Sequence, residues 1–168
     1  MINKKLIIWG LLVVFWMIFI FVMSEMDANT SEDQSKTIAV CIVNKYDEIT
    51  GASPKTLKKH KTKEFIDDTN YFFRKLSHAF VYLVLAVLLM KFLIILKEMP
   101  FYQYYLISIG ISFLYACTDE YHQTFVNGRT GQFSDILIDS IGALFGCIIF
   151  TFLYKLIMKR RNKKKSVK

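Results

Sequence analysis

The chain has 168 residues, 54% hydrophobic and 21% charged, with a formal net charge of +8 and only seven glycines and two prolines. That composition excludes a disordered, collagenous or low-complexity chain. Its long apolar runs exclude an ordinary soluble domain, and its length fits a single domain, 1–168.

The first apolar run, about 6–23, follows Lys4 and Lys5 and carries no charge over 18 residues. It exceeds the ~7–15 residues of a signal-peptide core, and no A-x-A cleavage site follows, so it reads as a retained span. The long segment 24–75 comes next. Ser31-x-x-Gln34 fits a capping box, and Ile38, Cys41, Ile42, Tyr46 and Ile49 then keep helical spacing up to a stop at Gly51. This helix either lies on the membrane or packs on the bundle. Ser53-Pro54 marks a second short helix, and Lys55–Lys63 a solvated basic face. Tyr71-Phe72-Phe73 stands where an interfacial aromatic belt would.

Three further spans follow at about 76–96, 101–118 and 136–157. The expected fold is therefore all-α and polytopic: four transmembrane helices with a partly helical extracytoplasmic loop. Four crossings place both termini on one side. Lys and Arg alone divide 12 to 10 between the sides, but Lys159-Arg160-Arg161 and Lys163-Lys164-Lys165 directly follow a span, and 13 of the 14 acids fall on the opposite side. Both observations place the termini in the cytoplasm. The basic tail is then an anchor near anionic lipid, not a nucleic-acid arm. The three cysteines, Cys41, Cys117 and Cys147, have no paired spacing and read as free thiols, neither a disulfide framework nor a zinc site.

Ionisable groups at membrane depth cost roughly 2.5–3.5 kcal/mol near the centre on insertion scales, and they persist mainly where they face a bundle interior. Four clusters of this kind lie at the same ends of spans two, three and four. Arg74-Lys75-Leu76-Ser77-His78 opens span two, with Arg74 and His78 sharing a helix face. Asp119-Glu120-Tyr121-His122-Gln123 closes span three, with Tyr115, Asp119 and His122 on one stripe. Asn127-Gly128-Arg129-Thr130-Gly131 is a turn whose glycines permit left-handed backbone. Asp135 and Asp139 open span four, on a face that continues through Gly142, Ala143 and Gly146, small residues that permit close helix approach within the bundle. The topology alone gathers these groups into one polar patch, with Arg74 and Arg129 expected to pair with Asp119, Glu120, Asp135 and Asp139. Lys75 reads as an interfacial anchor or an anion ligand.

The ordered set Arg74-Lys75-x-x-His78, Asp119-Glu120-x-His122-Gln123, Gly128-Arg129, then Asp135 with Gly142-Ala143 and Gly146, resembles the VanZ-like family of bacterial membrane proteins, over roughly residues 70–150. The resemblance implies a multi-spanning plasma-membrane protein. It also implies a role in lowered susceptibility to teicoplanin, a glycopeptide with a lipid tail. In the family pattern the place of Asp139 is often Asn, so no charge-specific role carries over to it.

The leading expectation is a non-enzymatic envelope protein. Arg74, Lys75, His122, Gln123, Arg129, Asp135 and Asp139 would bind or frame an anionic or amphiphilic molecule: a lipid headgroup, a lipid-linked wall precursor or a lipoglycopeptide. The alternative is a membrane-embedded hydrolase or transferase with His78 as general base and Asp119 and Glu120 as its carboxylates. A metal held by His78, His122 and an acid is a variant of that alternative, and the adopted reading assigns neither metal nor cofactor. An internal salt-bridge lock is a third reading. No Gly-rich phosphate loop, G-x-S-x-G or H-E-x-x-H motif is present.

Overall fold

The computed structural model describes residues 4–25, 28–51, 63–126 and 131–165. The described residues form five helices: α1 (Lys4–Ser24), α2 (Ala28–Thr50), α3 (Lys63–Leu96), α4 (Phe101–Gln123) and α5 (Phe133–Lys165). Among the described residues, three stretches are long and apolar enough to cross a membrane, Lys4–Ser24, Phe65–Leu96 and Phe133–Asn162, and they contain the expected first, second and fourth spans. The expected third span coincides with α4, which has the length but a more polar sequence. The reason is where its polar groups go. Tyr104, Ser108, Ser112, Asp119, Glu120 and Gln123 are buried in the bundle, while Leu106 and Leu114 face outward.

The segment expected as a loop, 24–75, is helical over most of its described length. Helix α2 ends at Thr50, and Gly51 follows with φ +60°, the left-handed stop that only glycine adopts cheaply. The stripe Ile38, Ile42, Tyr46, Ile49 is exposed, and the buried face is instead Ala39, Val43 and Asp47. Helix α2 packs on α3, where Lys36 meets Asp67 at 3.7 Å. The capping-box side chains, Ser53-Pro54 and all of Lys55–Lys63 lie outside the described side chains. Helix α3 starts at Lys63, not at 76, because no breaker interrupts the turns before the apolar run. At 1.5 Å per residue, this carries the helix about 20 Å past the expected span.

The most extensive packing is α3 on α5. A Cβ on Gly142 would stand 2.1 Å from the Ala79 carbonyl oxygen, and one on Gly146 would stand 2.3 Å from that of Leu83. Both contacts share one offset in numbering, so the two helices run alongside in fixed register. The small-residue face expected within the bundle is used there. Around this seam two clusters form the core. One is built on Val13, Ile20, Tyr82, Leu85, Leu89 and Ala116, the other on Ala86, Met90, Leu93, Tyr104, Ala143 and Cys147.

Helix α1 is tied on by two polar bonds. The Trp16 indole N–H donates to the Val81 carbonyl at 2.9 Å, and the Tyr115 hydroxyl donates to the Met17 carbonyl at 2.5 Å. At the far end the Tyr104 hydroxyl accepts from the Met99 N–H and donates to the Lys97 carbonyl, closing the short α3–α4 turn that makes these helices antiparallel. Most of the remaining α1 surface is exposed and apolar, as are Phe152, Leu153, Leu156 and Ile157 on α5. Surfaces of this extent suit lipid contact.

Candidate functional site

The α3–α5 register decides which polar side chains meet. Lys75, Ala79 and Leu83 follow one another at i, i+4 along α3, and the backbone at 79 and 83 touches α5. Lys75 is therefore turned inward, where its ammonium pairs with the Asp135 carboxylate in the first turn of α5. The Ser134 hydroxyl also donates to that carboxylate at 3.2 Å, and the Lys75 ammonium lies 5.2 Å from the Tyr71 ring centroid. For Arg74 this corrects the expected pairing; the expected pairing of Arg129 lies outside the described residues. Arg74, one position away and about 100° around the helix, is half-buried and makes no ion pair among the described residues.

Asp139 lies one turn below Asp135 and is fully buried. Its Oδ1 lies 3.8 Å from Nδ1 of His78, and neither carboxylate oxygen has a hydrogen-bond partner. Glu120 arrives from α4. The backbone N–H of Gln132 donates to its Oε2 at 2.8 Å, while Oε1 is buried without a hydrogen bond. Gly131 makes this possible. A Cβ there would stand 2.6 Å from the Glu120 carbonyl oxygen, so the chain crosses the end of α4 at a distance only glycine allows. Gly131 thus serves close approach and not positive φ, which among the described glycines belongs to Gly51. One donor atom each from His78, Glu120 and Asp139 lies within 4.8 Å of the others, the group among the described residues able to hold a metal.

Asp119 is buried beside this cluster and accepts from Gln123 Nε2 at 3.3 Å. His122 does not join it. It is turned to α1, where its ring centroid is 4.5 Å from that of Phe21 and its Nε2 lies 3.4 Å from Glu25. The expected stripe of Tyr115, Asp119 and His122 therefore splits. Tyr115 and His122 contact α1, and Asp119 turns into the bundle. A metal set containing both His78 and His122 does not form. Gly128 and Arg129 lie outside the described residues.

Three polar residues were missed. Tyr82 stands one turn below His78, with its hydroxyl buried, lacking a hydrogen bond, and within electrostatic reach of Asp119, Asp139 and Glu120. Ser108 and Ser112 are fully buried on α4, also without hydrogen bonds. The available signal was their i, i+4 spacing inside an apolar run, which marks an inward face. The site's charge is lopsided. Among the described residues, Asp119 (4% exposed), Glu120 (3%), Asp135 (6%) and Asp139 (0%) are buried against one buried ammonium, Lys75, already on Asp135.

No curated protein and no solved structure matches this chain. The VanZ/LLP1 family model matches residues 9–154, most of the length and every polar group just described. With that match over helices that bring His78, Glu120 and Asp139 to one point, the chain belongs to the VanZ/LLP1 family.

Proposed function

We propose that this chain is a plasma-membrane protein of the bacterial envelope whose polar site, at the outer face, recognises an anionic or amphiphilic envelope molecule and lowers susceptibility to teicoplanin-type lipoglycopeptides. The observation that carries the reading is the burial of ionisable side chains from α3, α4 and α5 at one end of the bundle, where apolar residues would pack at lower cost. Helix α4 is the fourth crossing in this reading, with its polar face against its neighbours. Both termini are then cytoplasmic.

Deleting the gene is expected to raise teicoplanin susceptibility while vancomycin susceptibility changes little. His78→Ala and Arg129→Ala, inserted at normal levels, are expected to behave like the deletion. Unchanged susceptibility in those strains would refute the proposal. Orientation has its own test, because Cys41 is exposed on α2 and Cys147 is buried. A membrane-impermeant maleimide added to intact cells is expected to label the chain, and Cys41→Ser to abolish the label. Labelling only after permeabilisation would invert the topology.

One observation favours a second reading, a hydrolase or transferase acting on lipid-linked substrates. His78 has a buried carboxylate, Asp139, 3.8 Å from its Nδ1, where a small side-chain shift would make the hydrogen bond that orients a general base. Turnover of a lipid-linked substrate by purified protein, lost in His78→Ala, would establish it.

A further inference from the structure

We propose that His78, Glu120 and Asp139 form a binding site for one divalent transition-metal ion of the zinc class. The proposal does not depend on which envelope molecule the protein serves. Three observations carry it. The first is convergence. The three residues come from three helices, 42 positions apart between His78 and Glu120 and 19 between Glu120 and Asp139, yet one donor atom of each lies within 4.8 Å of the others. Two ligands at ~2.0–2.2 Å from a tetrahedral zinc ion stand about 3.3–3.6 Å apart, so side-chain shifts of roughly an ångström close the site. His78 Nδ1 and Asp139 Oδ1, at 3.8 Å, already lie within about half an ångström of that spacing.

The second observation is unmet demand. Asp139 is 0% exposed and both of its oxygens lack a hydrogen bond, as does Glu120 Oε1. A carboxylate removed from water needs a cation or a donor. The buried ammonium nearby, Lys75, is already committed to Asp135. The third observation is support around the ligands. The Gln132 N–H on Oε2 fixes the Glu120 carboxylate and leaves Oε1 available, which is how ligating carboxylates are held in metal sites.

One imidazole nitrogen with two carboxylate oxygens suits Zn²⁺, with Mn²⁺ the nearest competitor. Three protein ligands leave a fourth tetrahedral position open to a further group. A bound dication would also offset much of the negative charge of these buried acids.

The test uses the full chain, purified in detergent and stripped with chelator. Titration with Zn²⁺ is expected to show about one equivalent bound per chain by calorimetry and elemental analysis, with Mn²⁺ binding more weakly. Asp139→Asn, which keeps the side-chain shape, and His78→Ala are expected to weaken Zn²⁺ by more than the roughly 10–100-fold typical of losing an outer supporting group. His122→Ala, on the α1 side, should leave the affinity unchanged. In the unaltered chain, where no variant has to fold, Co²⁺ should give the intense visible absorption of a tetrahedral site, and Zn²⁺ should displace it. Absence of stoichiometric Zn²⁺, or equal weakening by His122→Ala, would overturn the site.

Discussion

Gly142→Ala is expected to dismantle the α3–α5 pair, and the loss should be read as unfolding in detergent at conditions where the unaltered chain is intact. The added Cβ would stand 2.1 Å from the Ala79 carbonyl oxygen and under 3 Å from two more backbone atoms of the same residue. Backbone in a helix cannot rotate away, so the helices must part along the seam. Ordinary overpacking costs about 1–3 kcal/mol, taken up by side chains that shift. Here no side chain can yield, so the cost should exceed the upper end of that range. Gly146→Ala, facing the Leu83 carbonyl at 2.3 Å, should behave alike. Gly110→Ala on α4 is the control. Nothing lies within 4 Å of its Cβ position, so the change should be neutral or stabilising by up to about 1 kcal/mol through helix propensity. Equal effects at positions 142 and 110 would mean the seam is not where stability resides.

Lys75→Met should be the most damaging change to the polar site itself. It leaves Asp135 buried with its charge partner gone, and breaking a buried pair from one side costs about 3–5 kcal/mol. The double variant Lys75→Met with Asp135→Leu should recover most of that loss, since a matched apolar pair often replaces a buried ion pair at little cost. Arg74→Met is the internal comparison and should cost below about 1 kcal/mol, as for a partly exposed charge that makes no ion pair among the described residues. A double-variant cycle on thermal unfolding separates the outcomes. Failure of the double variant to recover, or equal effects of Lys75→Met and Arg74→Met, would contradict the pairing.

The same comparison marks how far the chain was legible. Apolar runs of bilayer length gave the positions of α1, α3 and α5 directly, because burying or lipid-facing a whole helix leaves a composition signature that needs no partner. Gly142 and Gly146 were readable as a packing face for a similar reason, as they are the small residues on that turn. The shared end of His78, Glu120 and Asp139 followed from connectivity.

Rotation about each helix axis was not legible. Arg74 and Lys75 are adjacent basic residues, about 100° apart, and nothing local says which points inward. The backbone contact of Ala79 and Leu83 with the two glycines turns Lys75 toward Asp135 and leaves Arg74 off the carboxylates. His122 shows the same indeterminacy: it follows Glu120 by two positions and is carried round to α1. The sequence by itself determined where the long apolar helices lie and that His78, Asp119, Glu120, Asp135 and Asp139 come to one end. Only the tertiary structure decided which of those residues touch, because helix rotation is set by close backbone contact between chain segments 63 residues apart, an interaction no local pattern encodes.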